Sequence, residues 1–453
     1  MGGRADQRHG SVFLIGFRGP RWRRTGTILG LALAIPGATA RAQYFGQNKV
    51  QYHHLHFSII RTEHFDVYFS ARERSAALDA ARMAERAYAR LSRLLNHQYR
   101  ERQPIIVYAS QTEFQENNVT DIGEGTGGVT EPFRNRILLP FTGSYADFEH
   151  VLQHEMVHQF QFDIFASGHV GAGIQQLIAV NPPLWFMEGM AEYLSLGPTT
   201  PQTAMWLRDA ALEGRLPTIE QLTDDPTIFP YRYGHAIWSY IGRRWGDAQI
   251  GEVLHAVATA GMGEGFRRAL GVSLEELSDA WRESVQRRYL PEIAGFASVR
   301  RIARPLLTER RVGGMYHVSP ALSPDGKAIA YLSEGKSFFV DLYLADAETG
   351  RVERRLIKSA FSADFESLRF IYSTGSWSPD GRYFAIAAKH GGRDDIVIFD
   401  VRRGRVRRRI KVPLAGVTNP AWSPDGRRLV FTGYDGGLSD LFVINAEIGR
   451  AHV

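Results

Sequence analysis

The first part of the chain contains strand-like patterns of apolar and polar residues. Alternation in FDVYFS, residues 65–70, predicts a half-buried strand, and the apolar run IIVYAS at 105–110 predicts a buried one. The glycine-rich segment GEGTGGVTEP leads into a third strand-like run, which ends at Pro140. These patterns predict β-strands between residues 43 and 140.

Helical periodicity separates and follows these strands. Residues 71–96 place apolar side chains on one helical stripe, formed by Ala77, Ala81, Ala84, Tyr88, Leu91 and Leu95. Residues 146–162 are predicted to be helical, and helical patterns dominate from 184 to 290, where Ser273 is expected to cap a helix. Residues 43–300 are therefore predicted to form an α+β domain, with a helical part at about 195–295.

A different pattern begins near residue 301. The segments ALSPDGKAIAYLS, SWSPDGRYFAIAA and AWSPDGRRLVFTG are copies of one unit, in which Ser-Pro-Asp-Gly separates two strand-like runs. The serines, at 323, 378 and 423, are 55 and 45 residues apart, close to the roughly 40 to 50 residues of a propeller blade. Proline presets φ, aspartate bonds its own backbone and glycine adopts positive φ, so each tetrapeptide suits a turn.

These repeats resemble the TolB-type β-propeller over about residues 315–449. The resemblance implies an all-β domain at 301–453 and a protein partner that docks on it. Propellers close with about 4 to 8 blades, and three are visible in this sequence. We therefore expect an incomplete ring, or a ring that is completed in another way.

Composition narrows the classes of site that the chain can hold. Its 453 residues exceed the roughly 250 to 300 at which one core stops growing, which agrees with two domains. The net charge of +6 is modest for this length, so no nucleic-acid partner is expected. The absence of cysteine excludes disulfides, thiolate metal sites and cysteine nucleophiles. A metal site would need His, Asp and Glu ligands.

The N-terminus has the features of a secretory signal. Arginines around position 23 precede an apolar run at 27–35, and Ala40-Arg41-Ala42 forms a small-x-small motif before Gln43. The apolar run is too short to span a bilayer, and a short buried helix is the alternative. Residues 1–42 are predicted to be a signal peptide, which implies a periplasmic or secreted mature chain without a transmembrane segment.

The segment LQHEMVHQFQ, residues 152–161, has the spacing of a metal site. Residues four apart lie on one face of a helix, so His154 and His158 can direct their imidazoles at one ion, with Glu155 at an adjacent angle. Two nitrogen ligands and a carboxylate beside a water form the arrangement of a hydrolytic zinc. His150 lies about 12 Å from His158 along the helix and is expected to pack or to support a ligand.

A second segment, PPLWFMEGMAEYLS at 182–195, places two carboxylates one helical turn apart. Glu188 is the simplest third ligand, and Glu192 is expected to bond the outer nitrogen of a ligand histidine. A solvated helix face is the alternative. The surrounding aromatic and methionine residues argue against it, because carboxylates in an apolar setting usually need a partner.

HEMVH followed by WFMEGMAEY resembles the gluzincin metallopeptidases over about residues 100–290, especially peptidase MA-like domains and zinc aminopeptidases of the leukotriene hydrolase type. The resemblance implies a gluzincin fold, one Zn²⁺ held by His154, His158 and Glu188, and a peptide or protein substrate.

Further residues follow from the aminopeptidase motifs. The segment PYRYGHAIWSYI aligns Tyr231 with the tyrosine that donates a hydrogen bond to the oxyanion. Tyr233 takes the neighbouring lysine position, and His235 is a third candidate. A packed aromatic position is the alternative for the tyrosines. In GGVTEP, Glu131 aligns with the glutamate that holds a substrate's free amine, although the methionine and asparagine of that motif are missing.

The strand RNRILLP at 134–140, with Arg136 and Ile137, is expected at the edge of the cleft, where an extended peptide would pair with it. A core position is the alternative for this strand.

The leading prediction is a zinc peptidase in which Glu155 takes a proton from water and passes it to the leaving amine. The competing hypothesis is a binding scaffold, in which the propeller is the platform and the peptidase-like domain holds zinc without turnover. Glu155 is not itself a ligand, and its presence favours the enzyme. No GxSxG nucleophile motif occurs in the sequence, so the propeller does not indicate a serine hydrolase.

Overall fold

A computed structural model describes two regions of the chain, an N-terminal one of helices and one sheet, and a β-rich C-terminal one. The residues described are 51–52, 54–132, 134–166, 180–314, 316–335, 339–358, 364–371, 373–446 and 451–452. The predicted signal peptide at 1–42 lies outside them. Within the described ranges, every helix is too short or too polar to cross a bilayer.

The N-terminal region is built on a five-stranded sheet. Its strands are β1 (Phe57–Arg61), β2 (Phe65–Ser70), β3 (Gln103–Tyr108), β4 (Val129–Glu131) and β5 (Arg136–Pro140). The order is β1-β2-β3-β5-β4, with β2, β3 and β5 parallel and with antiparallel β1 and β4 at the edges. Residues 134–140 fit the alternative, a core position, because β5 lies between β3 and β4, where it has no free edge for a peptide, and residues 137–139 are buried.

Helices cover this sheet and form most of the rest of the N-terminal region that the structure describes. They are α1 (Arg74–Leu94), α2 (Gln111–Phe114), α3 (Tyr145–Phe165), α4 (Leu184–Leu196), α5 (Pro201–Leu212), α6 (Ile219–Asp224), α7 (Pro230–Trp245), α8 (Ala248–Ala260), α9 (Met262–Leu270), α10 (Leu274–Ile293), α11 (Val299–Ile302) and α12 (Glu309–Val312). The predicted stripe is buried, and α1 packs against β2 and α3. Ser273 caps α10 as predicted, in a reciprocal capping box with Glu276.

Two glycines let α4 and α7 touch. A Cβ on Gly189 would lie 2.4 Å from the carbonyl carbon of Gly234, and a Cβ on Gly234 would lie 2.4 Å from the carbonyl oxygen of Trp185. Any larger side chain at either position would push the helices apart. The close crossing brings the first turn of α7, with Tyr231 and Arg232, beside the acidic face of α4.

The described residues of the C-terminal region form three small antiparallel sheets. Its strands are β6 (His317–Leu322), β7 (Ala328–Ser333), β8 (Asp341–Asp346), β9 (Val352–Ile357), β10 (Ser367–Leu368), β11 (Ser376–Trp377), β12 (Tyr383–His390), β13 (Arg393–Asp400), β14 (Arg405–Lys411), β15 (Gly416–Trp422), β16 (Arg428–Asp435), β17 (Leu438–Asn445) and β18 (Ala451–His452). The sheets are β6 to β9, β10 to β14 and β15 to β18, here called the first, second and third blades.

Each Ser-Pro-Asp-Gly turn joins two neighbouring strands of one blade. In the first blade, Ser323 Oγ donates to Asp325 Oδ1 at 2.6 Å and accepts from the backbone nitrogen of Ala328 at 2.9 Å. Gly326 has a φ of +72°, which only glycine adopts at little cost. The same contacts recur in the turns that begin at Ser378 and Ser423. The repeated unit read from the sequence is therefore confirmed as one hairpin per blade.

Candidate metal centre

Two helices bring three potential ligand atoms together. α3 carries His154 and His158, and α4 carries Glu188. His154 Nε2 lies 3.0 Å from Glu188 Oε2 and 3.1 Å from His158 Nε2, and His158 Nε2 lies 3.1 Å from Glu188 Oε2. Two donors bound to one tetrahedral zinc at about 2.0 to 2.2 Å are roughly 3.3 Å apart. The three atoms thus fit around a single zinc ion.

Gln161 fixes the ring of His158. Its amide nitrogen donates to the carbonyl oxygen of Met187 at 3.0 Å, which turns Gln161 Oε1 towards His158 Nδ1, 2.8 Å away. His158 therefore carries its proton on Nδ1 and offers Nε2 to the ligand triangle. Outer partners of this kind orient metal-binding histidines and raise their basicity.

Glu192 lies behind His154, one turn beyond Glu188. Its Oε1 lies 3.3 Å from His154 Nδ1, near enough for an ion pair although the angle is poor for a hydrogen bond. Oε1 is also 3.4 Å from His150 Nε2, and Oε2 pairs with Arg232 at 2.6 Å. His150, His154 and Glu192 form a second cluster of ligand-type atoms, but the guanidinium of Arg232 disfavours a cation there. His150 therefore contacts Glu192, the partner of His154, and does not reach the ligand triangle directly.

The carboxylates control the protonation of the ligand histidines. Burial alone would lower the pKa of His154, but contacts with Glu188 and Glu192 outweigh it and raise the pKa to about 10. The pKa of His158 is also raised, because the charge of Glu188 outweighs burial. Burial would raise the pKa of Glu188, yet the two imidazoles hold it well below its usual range. In the absence of a metal ion, protons on the histidines therefore balance the negative charge of the carboxylates.

This charge balance predicts that zinc displaces protons when it binds. Because the pKa of His154 is raised to about 10 and that of His158 is also raised, we expect at least one proton to be released for each zinc bound and an affinity that rises roughly tenfold or more per pH unit around pH 7. Calorimetric titration in two buffers of different ionisation enthalpy measures the number released. A value near zero would contradict the ligand assignment.

Glu155 is buried beside the ligand triangle and is held by β4. The hydroxyl of Thr130 lies 2.7 Å from Glu155 Oε2 and 2.9 Å from the Glu155 carbonyl oxygen. A Cβ on Gly128 would lie 2.6 Å from Glu155 Cγ, so the glycine is required for the chain to pass over this carboxylate. Thr130 and Gly128 thus fix the rotamer of the Glu155 side chain, and a general base must be held in position in this way.

Of the three candidates on α7, only Tyr231 lies at the ligand triangle. Its ring stacks near that of His154 with centroids 6.2 Å apart. Burial, followed by the charges of Glu188 and Glu155, raises the pKa of Tyr231, so its phenol keeps its proton. Tyr233 packs edge-on against Trp206 instead. Both ring nitrogens of the buried His235 are engaged, Nδ1 with Thr203 at 2.7 Å and Nε2 with the Gly197 carbonyl at 2.7 Å.

The residues predicted to contact substrate have other partners. Glu131 is buried and pairs with Arg136 at 2.5 Å across the β4–β5 ladder, so each satisfies the other's charge. The side chain of Ile137 is fully buried in the main core, which favours the core position given as the alternative for this strand. The amine-binding role of Glu131 and the substrate role of Arg136 remain predictions.

Three functional candidates were missed by the sequence reasoning. Gln161 follows His158 by one turn of the same helix, and that spacing was a usable signal. Arg232 adjoins the tyrosine that was aligned, but only the α4–α7 crossing shows that it meets Glu192. Thr130 lies inside the GGVTEP segment, and no local pattern indicates that its hydroxyl contacts Glu155.

Comparisons with known proteins bear on the C-terminal region. The family profile described as the TolB beta propeller domain matches residues 310–453, slightly inside the predicted limits of 301–453. Comparison with curated proteins gives no match.

Solved structures similar to this chain include TolB from Acinetobacter baumannii, at 21% identity and a TM-score of 0.25, covering 30% of this chain and 31% of that one. A putative TolB from Agrobacterium tumefaciens has 21% identity and a TM-score of 0.26, covering 31% of this chain and 46% of that one. This chain spans less than half the length of either structure. Residues 310–453 thus form a TolB-type β-propeller domain, which follows an N-terminal region of helices and one sheet.

Proposed function

We propose that residues 43–300 form a zinc-dependent peptidase of the gluzincin type, exported to the periplasm or beyond, and that the propeller docks its protein substrates or partners. The convergence of His154, His158 and Glu188 atoms within 3.1 Å of one another carries this proposal. The buried, oriented Glu155 beside them is what distinguishes a hydrolytic site from a structural zinc site, which needs no free carboxylate.

The chemistry divides among a few side chains. A zinc ion held by His154, His158 and Glu188 would act as a Lewis acid and would make a nearby water more acidic. Glu155 accepts the proton of that water and later gives it to the leaving amine. Gln161 and Glu192 keep the two imidazoles in place through their outer nitrogens. Attack of the water on the peptide carbonyl would produce a tetrahedral oxyanion, which needs a hydrogen-bond donor. Tyr231 is a protonated group beside the ligand triangle that can donate to it.

The peptide backbone would lie along β4. This short strand forms the outer edge of the sheet as described, and Thr130 in its centre touches Glu155. An extended peptide can add to such an edge through main-chain hydrogen bonds. Residues 129–131, instead of residues 134–140, are therefore the proposed strand for pairing with the peptide.

Replacing Tyr231 with phenylalanine is expected to lower kcat by about a hundredfold to a thousandfold, the cost of one oxyanion donor, with little change in KM. Tyr233→Phe is the matched control, since that ring packs on Trp206 and its loss of a hydroxyl should leave kcat unchanged. Steady-state kinetics on one peptide measures both variants. Equal kcat values for the two variants would remove Tyr231 from the mechanism.

A second function is favoured by the family match at 310–453. In this alternative the propeller is a platform for protein partners in the periplasm, and the N-terminal region holds zinc without turnover. The comparisons support this alternative more directly than the peptidase, because the match covers the propeller and does not reach the metal centre.

Metal analysis of the purified protein, combined with profiling against a broad peptide library, separates the two functions. One zinc per chain with cleavage that stops on chelation supports the peptidase. One zinc per chain with no cleavage of any library member supports the scaffold.

A further inference from the structure

A buried ionic network links the second blade to the N-terminal region. Arg369, which follows β10, donates to Asp394 Oδ1 on β13 from Nε at 2.9 Å and from Nη2 at 2.7 Å. Thr112 of α2 donates to the same oxygen at 2.8 Å and also contacts Arg369 Nη2. All three residues are 5% exposed or less. A buried ion pair needs such extra hydrogen bonds, and here a residue of the other region supplies them.

Helix α2 also holds a glycine-rich loop, residues 123–128. Gln111, the first residue of α2, donates from its side-chain nitrogen to the carbonyl oxygens of Gly123 at 3.2 Å and Thr126 at 3.0 Å. The next residue of α2 is Thr112, which belongs to the ionic network. The loop and the second blade are therefore tied to adjacent residues of one short helix.

The blade also grips the loop directly. Glu124 Oε1 accepts hydrogen bonds from the backbone nitrogens of Phe370 at 2.6 Å and Ile371 at 3.1 Å. These residues come directly after Arg369. A Cβ on Gly125 would lie 2.7 Å from the Ile371 side chain, so the loop and the blade are in close contact. Hydrogen bonds between a carboxylate and backbone N–H groups are among the stronger ones in proteins.

The far end of the loop lies on the proposed catalytic carboxylate. A Cβ on Gly127 would lie 3.2 Å from Val151 of α3, and one on Gly128 would lie 2.6 Å from Glu155. Thr130, two residues further on, contacts the Glu155 carboxylate. A continuous series of contacts thus runs from the second blade through Glu124 and the loop to Glu155.

The third blade contacts the segment just before the N-terminus of α3. Ser439 donates to the carbonyl oxygen of Gly143 at 2.9 Å, and Gly143 forms a parallel bridge with Leu438. Gly143 directly precedes Ser144, the N-cap of α3. Two blades therefore contact the segments that set the position of α3 and of the loop above it.

We propose that Glu124 and Arg369 are positioning residues, through which the second blade holds the glycine-rich loop against Glu155 and so completes the site. The propeller is then part of the catalytic architecture as well as a docking platform. The effect on turnover rests on the proposed peptidase function, whereas the effect on the loop does not.

The test compares full-length variants by hydrogen exchange and by kinetics. In Glu124→Ala, we expect the amides of residues 123–131 to exchange about tenfold faster. We expect kcat to fall about tenfold to a hundredfold through misplacement of Glu155 and β4, with zinc content unchanged. Glu124→Gln retains an acceptor oxygen and should restore most of both. Glu353→Ala, at an exposed position on β9 of the first blade, is the matched control.

Arg369→Met provides a second route, because it removes the ion pair with Asp394 and the contact with Thr112 of α2, the helix that also holds the loop, and it should give the same exchange pattern. Unchanged exchange at 123–131 in Glu124→Ala would overturn the proposal. Faster exchange without any change in kcat would overturn the positioning role. If the wild type cleaves no peptide, the proposed function fails, and the exchange comparison still decides whether the blade holds the loop.

Discussion

Replacing Glu155 with glutamine is expected to lower kcat for peptide hydrolysis by about 10² to 10⁴-fold, the usual worth of a general base, while zinc binding is retained. Glutamine has the shape of glutamate and can still accept from Thr130, which contacts Oε2 at 2.7 Å in the wild type. It cannot take a proton from water. Because Glu155 is not in the ligand triangle, zinc affinity should not change. Single-turnover kinetics and metal analysis on the same sample measure both effects.

Glu149→Gln is the matched control for this variant. Glu149 lies on the same helix, is half-buried, and makes a long pair with the exposed Arg86 at 3.5 Å. The control should keep full kcat, since a surface pair of this kind contributes little. If Glu155→Gln cleaved peptides as fast as the wild type, Glu155 would not be the base, and the hydrolytic interpretation of HEMVH would be wrong.

Replacing Glu188 with glutamine is expected to weaken zinc binding by more than about a hundredfold, because the loss of an outer partner alone costs up to that much. The amide removes the charge that raises the pKa of both histidines and is a poorer ligand than a carboxylate. Zinc at a hundred times its dissociation constant stabilises a protein by about 2.7 kcal/mol. The wild type should gain that stability, and Glu188→Gln should gain almost none. Thermal unfolding with and without zinc measures the difference.

Two further variants measure how much the outer partners contribute to zinc binding. Glu192→Gln should weaken zinc binding by about 10 to 100-fold, as expected for an outer partner. His150→Ala should have a smaller effect, because His150 reaches the site only through Glu192. If His150→Ala abolished zinc binding while Glu188→Gln left it intact, the ion would be held by the cluster of His150, His154 and Glu192, and the ligand assignment would be wrong.

Local spacing explains why the convergence of His154, His158 and Glu188 could be predicted from the sequence. Helix geometry alone places His154 and His158 on one face, and α3 extends over both as expected. Glu188 and Glu192 are likewise one turn apart on α4, and the apolar residues around them indicated a buried setting. The turn chemistry of Ser-Pro-Asp-Gly determines the blade hairpins for the same reason, since each contact joins residues at most five apart.

Long-range arrangement explains what the sequence could not supply. The pattern of RNRILLP fits a buried central strand as well as an edge strand, and only the pairing of β4 outside β5 decides between them. Tyr231 and Tyr233 look equivalent in sequence, and the α4–α7 crossing directs one to His154 and the other to Trp206. The link between Arg369 and Thr112 joins residues 257 apart, beyond the reach of any local pattern.

X-ray absorption spectroscopy at the zinc edge, on the wild-type protein loaded with one equivalent of zinc, tests the metal centre most directly. We predict two imidazole nitrogens at about 2.0 to 2.1 Å and a carboxylate oxygen at about 2.0 to 2.2 Å, with the carboxylate lost in Glu188→Gln. A zinc surrounded only by water oxygens, or a ligand shell that does not change in Glu188→Gln, would contradict the account.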